Sequence, residues 1–416
     1  MDEPVASEPA VDLAAIEAAA ERIASQTLRT PLVEAPELSA ATGAEVLLKL
    51  ESLQHTGSFK ARGALNKLLA VQQADKAAGV VAASAGNHAQ GVAYHAGRLG
   101  IPAVIVMPVT ASFLKVERTR AYGAEVVLAG ETVSEAIAEA IRIGEERGLE
   151  YVHPFDDPRV IAGQGTIGLE IAAEAGDFDS VVVPIGGGGL IGGISTAIAA
   201  LRPQAEILGV QSEAFPGVAN ARAGLPPPKA RLTLADGIAV KQPGRLTLPL
   251  IDAHVAEVLS VSEAEIERAV AALAELAKLV VEGAGAAGLA ALLAQPERFA
   301  GDRVVVVICG GNIDPRTHAQ VQMRAMVRGG RLVRVRTEVG DAPGRLALVT
   351  GIVAERGGNI IEIVHQRYYE DVPVMQVEID VLMETRNRAD LDAILEALNE
   401  AGVPAWLMSS EAAGGA

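Results

Sequence analysis

Residues 180–201 read Ser180-Val-Val-Val-Pro-Ile-Gly-Gly-Gly-Gly-Leu-Ile-Gly-Gly-Ile-Ser-Thr-Ala-Ile-Ala-Ala-Leu201. An apolar β-branched run (Ser180–Pro184) leads into four glycines (Gly186–Gly189), and a helix-like segment follows from Ile191 to Leu201. A continuous apolar run of this kind is a strand buried on both faces. Strand, turn and helix in succession form the repeating unit of a parallel sheet covered by helices. Consecutive glycines at the junction expose several backbone N–H groups at a helix N-terminus, which suits a phosphate without any cationic side chain. The run is not G-x-x-x-x-G-K-[ST], and no Walker lysine follows it. A tight turn would use the same glycines with no ligand; it is their place between strand and helix that points to one.

The same alternation extends from Val11 to about Arg328. Apolar runs at Val46–Leu50, Val104–Met107, Val126–Leu128, Ile207–Val210 and Val304–Ile308 read as strands. Ser112–Tyr122, Val133–Arg147, Arg159–Glu174 and Glu263–Leu279 read as helices. This predicts an α/β region, and in open parallel sheets ligands sit beyond the carboxyl ends of the strands. The tail changes period: Val333, Val335, Thr337 and Val339 alternate with Arg334, Arg336 and Glu338, as in a half-exposed strand. A helical stripe (Leu346, Val349, Ile352) follows, then a strand Asn359–His365. Next comes a strand with Met375, Val377, Ile379 and Val381 against Gln376, Glu378 and Asp380. A helix (Leu391, Ile394, Leu395, Leu398) and a short strand (Val403–Met408) complete the order βαββαβ, that of a ferredoxin-like sandwich. Gly329-Gly330 reads as the linker, and the flanks Met1–Pro9 and Ser410–Ala416 read as mobile.

At 416 residues, two or three cores are expected, and a formal net charge of −17 disfavours nucleic acid and anionic membrane surfaces as partners. The single cysteine, Cys309, excludes an internal disulfide and a multi-cysteine metal site. The start of the chain lacks a basic, apolar leader, and the Ala-rich stretch Val270–Ala294 is broken by Glu275, Lys278 and Glu282, so a cytoplasmic protein is expected.

Three further segments carry chemistry. In Glu51-Ser-Leu-Gln-His-Thr-Gly-Ser-Phe-Lys-Ala-Arg-Gly63, Lys60 sits where a polar loop gives way to a helix bearing Ala61, Ala64, Leu65 and Leu68. A lysine that forms a Schiff base needs a neutral amine, favoured by an enclosed apolar site. Alone, a lysine opening a helix is an ordinary surface residue. Ser84-Ala-Gly-Asn-His-Ala-Gln-Gly91 follows the run Gly79–Ala83; its plain reading is a strand-to-helix turn with Asn87 capping or left-handed. Cys309-Gly-Gly-Asn-Ile-Asp314 closes the strand Arg303–Ile308; a lone cysteine there is ordinarily an inert core residue.

Together these segments resemble the threonine dehydratase group of fold-type II pyridoxal-phosphate (PLP) enzymes. The matches are Ser58-Phe-Lys60-Ala-Arg-Gly63, Ser84–Gly91, Gly186–Leu190, Leu234-Ala-Asp-Gly237, Glu282-Gly-Ala-Gly-Ala286 and Cys309–Asp314, spread over residues 12–325. The tail resembles an ACT domain through Asp341-Ala-Pro-Gly-Arg-Leu346, and one dehydratase region plus one ACT domain is similar to the medium-length threonine ammonia-lyases. The resemblance implies a tryptophan synthase beta-like catalytic region over 1–328. It would hold two open twisted sheets, the smaller subdomain being inserted at roughly 50–155, with an ACT regulatory domain at 331–410. It implies that Lys60 carries the cofactor and removes the substrate Cα proton. Phe59 would stack near the ring, Asn87 would bond its phenolic oxygen, and Gly186, Gly187, Gly188, Gly189 and Leu190 would hold the phosphate. Cys309 would face the pyridine nitrogen, while Ser84, Ala85, Gly86, Asn87 and His88 would frame the substrate carboxylate. A thiol does not keep that nitrogen protonated, so the ring is a weaker electron sink, which favours prompt loss of a β-leaving group. Deamination of L-threonine, and also of L-serine, is the implied activity.

Serine racemases share the resemblance, but carry a serine before the Gly-Asn pair where this chain has Ala85, which has no proton to give. Their cation site, near Gln211–Gly217, retains only Glu213 as a ligand candidate, and a solvated loop carboxylate is its plainer reading. A 3-hydroxyaspartate dehydratase would use the same machinery, and a non-catalytic amino-acid sensor is the rival of another class, against which an intact Lys60 argues. The ACT resemblance implies a homo-oligomer (dimer or tetramer). Isoleucine or valine would bind between Gly344, Arg345 and Leu346 of one copy and Asn359 and Ile360 of another.

Overall fold

The computed structural model describes residues 11–74, 77–229, 231–366 and 373–408. The flanks Met1–Pro9 and Ser410–Ala416 lie outside them. The chain divides after Ile313 into two compact units. The division falls upstream of Gly329-Gly330, so the helix Pro315–Arg328 goes with the second unit.

The strands of the first unit are β1 (Leu32–Glu34), β2 (Glu45–Leu50), β3 (Val80–Ala83), β4 (Ala103–Met107), β5 (Glu125–Leu128), β6 (Glu150–Tyr151), β7 (Ser180–Pro184), β8 (Glu206–Ser212), β9 (Glu257–Val261) and β10 (Arg303–Ile308). They form a six-stranded sheet, β1-β2-β10-β7-β8-β9, and a four-stranded sheet, β5-β4-β3-β6. All pairings are parallel except edge strand β1 on β2. Each apolar run picked from the sequence is a strand. The smaller sheet is buried on both faces, as such runs require: Val80 and Ala82 pack with Ile105 and Met107 on one side, while Val81 and Ala83 pack with Val104, Val106 and the helix Val133–Arg147 on the other.

One helix reading overshoots. The segment read as Glu263–Leu279 starts at a Ser262/Glu265 capping box but ends at Leu276, and Lys278 has a positive φ of 58°.

Three helices of the first unit are in backbone contact. A Cβ on Gly163 would lie 2.7 Å from the Gly63 Cα, and one on Gly193 would lie 2.5 Å from the Gly165 nitrogen. The helix Pro158–Glu174 is thereby wedged between Lys60–Ala74 and Gly189–Leu201. The lysine and the glycine run open two helices that share one partner, which fixes their spacing.

The second unit adds β11 (Leu332–Gly340), β12 (Asn359–Gln366), β13 (Gln376–Glu384) and β14 (Ala405–Leu407), with helices Arg345–Glu355 and Arg388–Glu400. The antiparallel order β12-β13-β11-β14 is that of a ferredoxin-like sandwich. Val333, Val335 and Val339 are buried on β11, and Arg334, Arg336 and Glu338 are half-buried, as the period-two reading expects. On β13 the polar positions depart from that reading: Glu378 and Asp380 are also buried. Arg336 covers them, with Nη1 3.0 Å from Glu378 Oε2 and Nε donating to Asp380 Oδ1 at 2.7 Å.

Candidate active site

Parallel register puts Leu50 beside Ile308, so Glu51 and Cys309 leave the larger sheet at the same edge. The glycine run leaves β7 at that carboxyl edge, two residues after Pro184. Close contacts bring three of the four motif segments together. Phe59 N–H donates to the Cys309 carbonyl at 3.1 Å, Ser58 bridges Gly310, and Gly311 N–H donates to the Gly57 carbonyl at 2.9 Å. A Cβ on Gly91 would lie 3.3 Å from the Lys60 carbonyl carbon, so the helix Asn87–Leu99 abuts the turn that starts at Lys60.

Lys60 is half-buried, and its Nζ donates to the Pro154 carbonyl at 2.7 Å and lies 5.1 Å from the Phe59 ring centre. Burial lowers its pKa to about 8, outweighing the attraction of Cys309 and Glu282. The amine is thus neutral well below the ordinary lysine range, as a nucleophilic lysine requires.

Asn87 opens its helix with Gly86 as N-cap and takes no cap or left-handed role. Its side chain instead reaches across the site. Nδ2 donates to Glu282 Oε1 at 2.7 Å, and Oδ1 accepts from Asn312 Nδ2 at 2.8 Å. Ser84 and Ala85 are half-buried, and a Cβ on Gly86 would meet nothing within 4 Å, so this turn borders open space. The first backbone N–H groups of the helix have no intrahelical partner, which suits a carboxylate. His88 turns inward: Nε2 lies 2.8 Å from the Val152 carbonyl, and burial, then the Lys60 charge, push its pKa down to about 3. A neutral imidazole facing the interior leaves His88 only its main chain to offer a substrate.

Gly188 has φ +94° and caps the helix Gly189–Leu201, a left-handed conformation that favours glycine. A Cβ on Gly187 would overlap the Phe155 ring, and one on Gly186 would lie 3.1 Å from the Ile238 Cα. Thr247 Oγ1 donates to the Gly187 carbonyl at 2.6 Å and so engages that oxygen, while the first N–H groups of the helix have no intrahelical partner and form a candidate anion cradle. Leu190, in the first turn, is buried. Because Pro154 touches Lys60 and Phe155 touches the cradle, one short segment links the two.

Cys309 is a buried free thiol, pushed well up by burial and then by Glu282, so it is un-ionised. Glu282 is buried, and its pKa is raised to about 7 by burial and then by Asp236, against the hydrogen bond from Asn87. The residues present fit pyridoxal phosphate: an amine of lowered basicity, the amides of the glycine run and an uncharged thiol would suit its aldehyde, its phosphate and its pyridine nitrogen.

Glu282 and Asn312 stand within the sequence motifs, yet nothing local assigned them a role, and Pro154 and Phe155 carried no signal of their own. Arg62 was also missed. It is buried and bonds Glu51 (Nε to Oε2, 2.9 Å) and Glu170 (Nη1 to Oε1, 2.6 Å). Burial opposes that charge, but Glu51 and Glu170 outweigh it and raise the Arg62 pKa. The signal that could have found it was Lys49, a charge inside the apolar run Val46–Leu50.

The effector candidates separate within one chain. Gly344, Arg345 and Leu346 line a cavity of about 290 Å³ with Asp341, His365 and Ile379. Asn359 lines another of about 320 Å³ with Arg331, Glu384 and Arg386, and Ile360 packs against the unit's core. Glu213 is exposed, and among the described residues no three His, Cys, Asp or Glu side chains are grouped to hold a metal. No helix among them is long and apolar enough to cross a membrane.

Residues 23–310 match the family model described as pyridoxal-phosphate dependent enzyme. The chain is 47% identical over 368 residues to the L-threonine ammonia-lyase of Thermotoga maritima, covering 88% of this chain and 92% of that one. It resembles the crystal structure of the T.th. threonine deaminase with a TM-score of 0.69 and 44% identity, covering 73% of this chain and 99% of that one. A PLP-dependent aspartate racemase is similar at a TM-score of 0.71 and 33% identity, covering 76% of this chain and all (100%) of the other. With Lys60, the glycine cradle and Cys309 at one sheet edge, the chain belongs to the pyridoxal-phosphate dependent enzyme family, in the branch of the L-threonine ammonia-lyases.

Proposed function

We propose that the chain catalyses the PLP-dependent deaminating dehydration of L-threonine to 2-oxobutanoate and ammonia, with L-serine giving pyruvate at the same site. The observation that carries this is Lys60, its basicity lowered, at the sheet edge where the glycine cradle and a neutral thiol also lie. The bound cofactor supplies the electron sink that acidifies the substrate Cα–H. Lys60 Nζ takes that proton. Backbone N–H groups over Gly186–Leu190 hold the phosphate, and Phe59 flanks the amine. The turn Ser84–His88 receives the substrate carboxylate at the start of its helix. Cys309 leaves the ring nitrogen unprotonated, which favours expulsion of the β-hydroxyl. Ala85 has no proton to return on the second face, which favours elimination over racemisation, the aspartate racemase likeness notwithstanding.

Ketoacid release measured across L-threonine, L-serine and both 3-hydroxyaspartate diastereomers is expected to be fastest with threonine. Faster release from a hydroxyaspartate, or D-amino acid formation without ketoacid, would overturn this reading.

The second unit is proposed as an ACT module of a cytoplasmic homo-oligomer, a dimer or tetramer. It would take isoleucine or valine between Gly344–Leu346 of one copy and Asn359–Ile360 of another. Support comes from the left-handed Gly344, at φ +90°, beside an open cavity. Equilibrium dialysis of the full chain is expected to show saturable isoleucine or valine binding that Asn359→Ala weakens roughly tenfold, the scale of one lost hydrogen bond. Equal binding by both proteins would remove the assignment.

A further inference from the structure

We propose that Glu282 is a positioning residue for the cofactor, fixing together with Asn312 the orientation of the Asn87 amide. This rests on the reading of Asn87 as the partner of the cofactor's phenolic oxygen.

The orientation is set from Thr56. Its carbonyl oxygen can only accept, and it accepts from Asn312 Nδ2 at 2.7 Å. That contact fixes which end of the Asn312 amide is nitrogen. The second hydrogen of the same Nδ2 goes to Asn87 Oδ1 at 2.8 Å, which in turn fixes Asn87. Its Nδ2 must then face Glu282, and Oε1 accepts at 2.7 Å. An amide nitrogen has two hydrogens, so one remains for a ligand. Flipping Asn87 would set its oxygen against a carboxylate and its nitrogen against a donor, losing both bonds at once.

The three residues come from three different elements. Asn87 opens the helix that follows β3 in the smaller sheet, Glu282 is the N-cap of the helix Gly283–Ala294, and Asn312 follows β10. Glu282 performs no capping bond with its side chain, so its carboxylate is available to the amide. It also accepts from the backbone N–H of Asn312. A Cβ on Gly310 would overlap Glu282 Oε1, so Gly310 leaves the space that the carboxylate occupies. A buried acidic side chain is costly unless it is bonded, and here its partners are the amide it orients and the loop that carries the other clamp.

The test uses full-length holoenzyme and two readouts besides turnover: the position of the cofactor's visible absorption band and the dissociation constant of pyridoxal phosphate. Asn87→Ala is expected to shift the band and weaken cofactor binding roughly tenfold. Glu282→Ala should reproduce that shift, Asn312→Ala should reproduce it independently, and Glu282→Gln, which keeps an acceptor oxygen, should restore most of it. In the Asn87→Ala background, Glu282→Ala should add nothing. A band unmoved in Glu282→Ala, or a further full shift in the double variant, would overturn the positioning role. No effect of Asn87→Ala would instead overturn the reading beneath it. Should Glu282→Ala fail to fold, the Asn312→Ala and Glu282→Gln comparisons decide the matter: a wild-type band in Asn312→Ala counts against the proposal.

Discussion

Replacing Lys60 with alanine is expected to lower ketoacid release from L-threonine by roughly 10²–10⁴-fold, the range a positioned acid–base group supplies. The fold should persist, because the residue is half-buried and its hydrogen bond goes to a single loop carbonyl, that of Pro154. Far-ultraviolet dichroism alongside the assay separates lost chemistry from lost structure, and retention of more than a tenth of the activity would count against Lys60 as the base. A pH signature accompanies this. Since burial lowers the Lys60 pKa from 10.5 to about 8, uptake of cofactor by the apoprotein should accelerate with a midpoint near pH 8. The unfolded chain binds this proton up to the higher value and the folded apoprotein only to the lower. Apoprotein stability therefore rises with pH across that window, and Lys60→Ala should flatten the rise.

The second large effect is on stability. Arg62→Met is expected to destabilise the first unit by about 3–5 kcal/mol, the cost of breaking a buried ion pair and leaving its partners uncompensated. Arg62 is 1% exposed and Glu51 is 0% exposed, so water cannot replace the contact between them. Two cations, Lys49 and Arg62, face three carboxylates, Glu51, Glu170 and Glu174, with Lys49 Nζ 2.6 Å from Glu170 Oε2 and 3.6 Å from Glu174 Oε2. Removing the guanidinium strands negative charge behind the helix that Lys60 opens. The midpoint of chemical unfolding reads the loss. Adding Glu51→Gln to Arg62→Met should recover part of it, because the double variant buries one charge fewer. Additive losses would show that Arg62 acts through packing rather than charge.

The local patterns in the sequence were sufficient for the strands buried on both faces, and not for β1, β6 and β9. Val181–Val183 and Val304–Ile308 are apolar without interruption because both faces of their sheet are covered, and the glycines after β7 mark a helix start. What stayed hidden depends on contacts far apart in the chain. Strand β9 alternates weakly at a sheet edge, so its run did not stand out. The link from Asn87 to Glu282 spans 195 positions and that from Arg62 to Glu170 spans 108, separations at which no periodicity carries a signal. His88 was placed around the substrate by its neighbours in the motif, yet helix geometry turns its ring to Val152. Glu378 and Asp380 looked solvent-facing by period, and their burial follows from one arginine on the neighbouring strand.

Whether Lys60 carries the cofactor is decided by borohydride reduction of the native holoenzyme followed by peptide mass mapping. One reduced pyridoxyl group per chain is expected, on the peptide containing Lys60, and none in Lys60→Ala. A group fixed to another lysine in the native protein, or no fixed group at all, would contradict the assignment.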